Sequence, residues 1–158
     1  MPGASKEWIE ERNRKLLEWF NGNVEAVEFL LLISDITETW DDIIDKDQPV
    51  PDERVHKAFM QAMLVLPVHP FYMKHRAYLW PLMNQAVNSW LDANELVKQG
   101  DDGKRYAFVL RNFDIQIAQA IAYLTGGWDH MRRVSAEMWT YFGVKQDDYD
   151  VWVTERQP

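Results

Sequence analysis

Val24-Glu25-Ala26-Val27-Glu28-Phe29-Leu30-Leu31-Leu32-Ile33-Ser34-Asp35-Ile36-Thr37-Glu38-Thr39-Trp40-Asp41-Asp42-Ile43-Ile44-Asp45 is the heart of the longest stretch of the chain without glycine or proline, and its periodicity decides the fold class. At about 100° per residue, Phe29, Ile33, Ile36, Trp40 and Ile44 share one arc, while Glu28, Asp35, Glu38, Asp42 and Asp45 fall nearly opposite. That is a helical pattern. Val27 and Leu31 lie inside the acidic arc, so the first half of the helix is apolar almost all round and is expected to be covered by another element. Glu28 and Asp35 flank Leu31 and are expected to be partly buried with it.

The flanking residues punctuate the pattern. Asn21-Gly22-Asn23 ends a first helix, capped by Ser5 and running to about Phe20, and starts the second. Asp47-Gln48-Pro49-Val50-Pro51 stops the second. Asp52 is then expected to cap a third helix with Val55, Phe59, Met63 and Leu66 on one side. Pro67 and Pro70 bracket a short connection. Phe71 to Lys98 is helical, with a kink or fresh start at Pro81. Gly100-Asp101-Asp102-Gly103 reads as a loop, and Arg105 to Leu124 as a helix ended by Gly126-Gly127. A last helix runs from Trp128 to Phe142, ended by Gly143, and the tail from Val144, with Asp147, Asp148, Tyr149, Val151 and Trp152, has room for one more turn. No segment shows the alternation of a strand. The expected architecture is all-α, a single-domain bundle of about six helices spanning the whole chain.

Composition narrows the function classes. A chain of 158 residues that is 47% apolar, with eight Trp, seven Phe and six Tyr, carries enough bulk for one core. The absence of cysteine excludes disulfides, thiolate chemistry and cysteine-held metals. A net charge of −8 opposes broad nucleic-acid binding and anionic lipid, and serves solubility or, less commonly, DNA mimicry. No apolar run is long enough to span a bilayer and the N-terminus has no h-region, so neither secretion by a signal peptide nor membrane insertion is expected.

Asp41-Asp42-x-x-Asp45 matches the aspartate-rich pattern of isoprenoid diphosphate synthases, where carboxylates one turn apart converge on Mg²⁺. The chain is about half the length such a bundle needs. Glu25-x-x-Glu28 with Glu38-x-x-Asp41 is similar to the paired acidic motifs of all-α nucleotide pyrophosphatases, but both pairs lie on one helix and cannot face each other within the chain. Two readings of the acidic face stand: an ordinary solvated face, or a cation site built from Asp35, Asp42 and Asp45.

The fifth helix holds a second anomaly. On its wheel Arg111 and Asp114 fall among Ala107, Leu110, Ile115, Ala118, Ile121 and Ala122, so both charges are expected to point inward. Burial of such groups costs several kcal/mol unless they are paired. One reading is structural, an i,i+3 ion pair or an inter-helix one, for example Arg111 with Asp35 or Asp42. The other is an Arg aimed at a phosphate or carboxylate ligand beside a cation to which Asp114 contributes. Asn94 shares an apolar arc with Trp90, Ala93 and Val97, and His75 follows Phe71 by four residues; both are candidates for the same inner polar group. Zinc-binding and di-iron spacings, phosphate loops and nucleophile elbows are all absent.

The blocks Asp35-Ile36-x-x-x-Trp40-Asp41-Asp42-Ile43-Ile44-Asp45-x-Asp47-x-Pro49-Val50, Leu66-Pro67-x-x-Pro70-Phe71-Tyr72-x-x-His75 and Trp90-x-x-Ala93-Asn94-Glu95 resemble a family of small helical proteins encoded by tailed bacteriophages and prophages. The resemblance covers roughly residues 25 to 125 and implies a viral origin, with a location in the host cytoplasm or the virion. Two functions fit these observations. One is a non-enzymatic accessory or virion protein acting through a protein partner or self-association, using Trp8, Trp19, Trp128, Trp139 and Trp152 for contacts. The other is a small Mg²⁺-dependent enzyme or binder of a phosphorylated ligand, with Asp35, Asp42, Asp45 and Asp114 on the cation and Arg111, His75 and Asn94 on the ligand.

Overall fold

The computed structural model describes residues 5–46, 49–142 and 146–155, and every regular element among them is helical. The chain is all-α. It divides into two compact units, residues 1–76 and 77–158.

In the first unit, α1 (Lys6–Trp19) begins where the Ser5 hydroxyl accepts a hydrogen bond from the Trp8 amide at 3.2 Å, as its position before the periodic run predicts. Asn21 and Gly22 adopt positive φ and end it. Asn23 then caps α2 (Val24–Asp45) through its Oδ1, 3.0 Å from the Ala26 amide. Lys46, in the left-handed region, closes α2. Leu16, Trp19 and Phe20 from the end of α1 are buried, as are Ala26, Val27, Phe29, Leu30 and Ile33 from the first half of α2. This is the covering the apolar first half of α2 required. The Phe29 ring lies 5.5 Å from Phe71, 6.0 Å from Tyr72 and 5.7 Å from His69, and burial of each such ring stabilises by about 1.5–3 kcal/mol.

α3 (Asp52–Met60) departs from expectation at both ends. Pro51 occupies the capping position, and Asp52 sits with Glu53 in the first turn, where both favour the positive end of the helix dipole. At the other end the helix widens into a π-turn over Gln61–Val65 and tightens into a 3₁₀ turn over Leu66–Val68. Pro67 is the physical reason: it has no N–H to continue the α-helical ladder and its ring crowds the preceding turn. α4 (Pro70–Leu96) starts on a proline, which suits a first helical position, and carries Pro81 inside it without a break.

In the second unit, a 3₁₀ turn at Val97–Gln99 leads directly into α5 (Gly100–Arg111). The expected loop at 100–103 is therefore the first turn of a helix. Gly103 is buried, and a Cβ there would collide with the Leu96 carbonyl oxygen, so glycine permits this close approach of two backbones. α6 (Phe113–Tyr141) is two helices meeting at Gly127, whose φ of 77° and ψ of −176° interrupt the ladder where the Gly-Gly pair predicts it. Its buried residues include Ile115, Ile117, Ala118, Ile121, Ala122 and Met138. α7 (Gln146–Glu155) replaces the single turn expected in the tail, and Phe108 of α5 packs on its Tyr149 and Trp152 at 5.4 and 5.6 Å. The predicted stop at Gly143 and the Asp47-Gln48 part of the second turn lie outside the described residues, as does the Asp148 side chain.

Candidate functional site

The acidic face of α2 is stitched to the helix that follows it. Asp35 Oδ2 accepts a hydrogen bond from the Lys57 ammonium at 2.6 Å and another from Gln61 Nε2 at 2.8 Å. One turn pair further along, Asp42 Oδ2 accepts from Arg54 Nη1 at 2.6 Å. The spacing explains the match: Asp35 and Asp42, seven apart, share one stripe of α2. Arg54, Lys57 and Gln61 form the facing stripe of α3 and its continuation. Burial pushes the Asp35 carboxyl upward, but the hydrogen bonds from Lys57 and Gln61, with the fields of Lys57 and Arg54, bring it below the usual carboxylate range. Asp35 is partly buried as expected; Glu28 is exposed.

This arrangement gives the cation reading no support. Among the described residues, no three His, Asp or Glu side chains come together in a group fit to hold a metal ion. Asp35 and Asp42 are separated by about 10 Å along the helix axis, and each is already engaged by a cation of α3. Asp45 is half-buried near the end of α2, where Ile43 and Ile44 are exposed. Within the first unit, Asp35, Asp42 and Asp45 thus form no group fit to hold a metal ion.

Arg111 and Asp114 differ in exposure. Arg111 is half-buried in the second unit, donates from Nη2 to Asn94 Oδ1 at 2.5 Å and lies 5.3 Å from the Trp90 ring centroid. The inward-facing pair Arg111 and Asn94 is thus real, with Trp90 adding a cation–π contact. Asp114 is exposed. The reason is local: Asn112, at φ −87° and ψ 33°, breaks the predicted continuous helix, so the wheel drawn through Arg111 does not continue through Asp114. The partners of Asp35 and Asp42 within their own unit, Lys57 and Arg54, are missed by the sequence reading because helix-to-helix pairing is invisible to a single-helix wheel.

His75 is half-buried in the first unit, its ring 4.7 Å from Phe71. Burial, together with neighbouring Lys74, lowers its pKa. It stacks in the aromatic core of its own unit, whereas Arg111 and Asn94 belong to the other. Of the tryptophans expected at a contact surface, Trp8 and Trp128 are exposed, Trp139 and Trp152 are half-buried, and Trp19 is fully buried against the first core.

A different surface stands out. The run Ala58-Phe59-Met60-Gln61-Ala62-Met63-Leu64-Val65-Leu66-Pro67-Val68 carries no charge. Phe59, Met60, Met63, Leu64, Val65 and Val68 are all exposed, Phe59 to 63% and Val68 to 70%. Phe59 and Met63 belong to the one apolar side expected of that helix, with Val55 and Leu66, yet both are exposed. Instead the polar member, Gln61, turns inward to Asp35 while its apolar neighbours face outward. The missed signal is the lack of any polar residue from Ala62 to Val68, a pattern of an element meant to be covered on more than one side. Among the described residues, no helix is long and apolar enough to cross a membrane. In comparisons with known proteins, the chain matches no protein-family model, no curated protein and no solved structure.

Proposed function

We propose that this chain is a non-enzymatic interaction protein whose contact surface is the inverted apolar segment from Ala58 to Val68. The carrying observation is that six large apolar side chains of one segment face solvent while its single polar side chain faces in. Folded monomers rarely present a contiguous apolar patch of more than a few hundred Å², and larger ones mark contact sites. The segment also contains a π-turn, a geometry frequent at functional positions. The candidate polar groups support the same reading, because Asp35, Asp42 and Arg111 are engaged with neighbouring side chains within their own units. The resemblance to phage-encoded helical proteins extends the proposal to an accessory or virion-associated role in the host cytoplasm or the particle.

The test is site-specific photo-crosslinking in the producing cell. A photoreactive residue at Met63 is expected to form discrete protein adducts, and the same residue at Glu38, on the exposed acidic face, is not. Equal, diffuse labelling from both positions would refute the contact surface.

A further inference from the structure

We infer that α7 is a detachable strap: it closes over the Phe108 ring of α5 and releases it by undocking and unwinding as one piece, while α5 and α6 stay folded. The inference is independent of the interaction reading above. Burial is the first argument. Among the described side chains of α7 none is sealed into a core: Tyr149, Trp152 and Val153 are half-buried, and Val151 is 59% exposed. In α6 of the same unit, Ile115, Ile117, Ala118, Ile121 and Ala122 are buried. The cost of opening an element locally follows the apolar surface it buries, which puts α7 at the low end of this unit's range and α6 at the high end.

The hold itself is the second argument. Phe108 meets Tyr149 edge-on at 5.4 Å and Trp152 at 5.6 Å, and those two rings lie 6.4 Å from each other. Tyr149 and Trp152 are three residues apart, neighbours on one helical face, so both present their rings to Phe108 while the segment is helical. A helix of ten residues does not sustain itself in water, because its nucleus is costly and few hydrogen bonds follow it. Docking and helix formation in α7 are therefore coupled. The strap has two states, closed and helical or open and unwound. Opening bares Phe108, in the same turn of α5 as Tyr106 and Val109, which are already 67% and 46% exposed, so the strap controls how much apolar surface α5 shows.

Residue-resolved hydrogen exchange of the full chain tests this directly. The amides of residues 150–154 are expected to be protected, but at least about tenfold less than those of residues 117–122 in α6. Trp152→Ala should bring the α7 amides to the rate of an unstructured chain and leave both the α6 amides and the midpoint of urea unfolding unchanged. A fluorine label on the Phe108 ring should shift its resonance in the same variant, reporting the uncovered ring. Equal protection of α7 and α6 in the wild-type chain, or a loss of protection in both helices on Trp152→Ala, would make α7 part of the cooperative core and overturn the strap. Exchange of α7 at the unstructured rate in the wild-type chain would overturn its closed state, and a Phe108 resonance indifferent to Trp152→Ala would overturn the covering of that ring.

Discussion

Replacing Asp35 with Asn removes a charge and leaves the shape, and the structure sets the size of the effect. The carboxylate accepts from Lys57 and Gln61 through one oxygen, at 2.6 and 2.8 Å. Lys57 is 61% exposed, so its ion pair behaves as a surface pair worth about 0.2–1 kcal/mol. Gln61 is half-buried, and its Oε1 already lacks a hydrogen-bond partner among the described residues. Weakening its remaining bond exposes the amide to a desolvation penalty of about 1–3 kcal/mol. The expected loss is thus about 1–3 kcal/mol at neutral pH, read by urea denaturation. The sign with pH follows from the lowered Asp35 pKa: the unfolded chain binds the proton more readily, so the carboxylate's stabilisation is full above the ordinary value near 4 and disappears as pH falls through the folded value. The gap between wild type and variant should be constant above about pH 5 and close in the acid limb. A gap that is absent at neutral pH, or that stays the same down to strongly acid pH, would refute the assignment of Asp35 as a carboxylate clamped by α3.

Two further outcomes follow from the packing. A double-mutant cycle on Arg54→Ala and Asp42→Ala should return a coupling of about 1 kcal/mol that shrinks in high salt, since the pair at 2.6 Å is only partly screened by solvent; zero coupling would detach α3 from the acidic face. Gly103→Ala should lower the melting temperature despite alanine's better helix propensity of about 1 kcal/mol, because its Cβ meets the Leu96 backbone oxygen, which cannot swing away as a side chain can; a stabilised variant would contradict the close approach.

Local punctuation was legible because its causes are local. Ser5 and Asn23 accept amide hydrogen bonds three residues ahead, and Gly22 and Gly127 take the positive φ that stops a helix. Pro67 disturbs the helix before it for the same kind of reason. Gly103 misled the reading because a buried glycine needed for close backbone approach is identical, in sequence, to a glycine in a loop. Asp114 misled it because one non-helical residue, Asn112, resets the phase of every position beyond it.

The sequence by itself therefore determined that the protein is all helix, where most helices begin and end, and that Asp35, Asp42, Arg111 and Asn94 needed partners. Tertiary structure alone decided who those partners are. Lys57, Gln61 and Arg54 reach the acidic face only because α3 folds back along α2, and Trp90 and Asn94 receive Arg111 only through the packing of α4 and α5. It also decided that Phe59 and Met63 face outward. Hydrophobic periodicity states that a side chain prefers to leave water; which surface takes it in is set by contacts far away in the chain, or in another molecule.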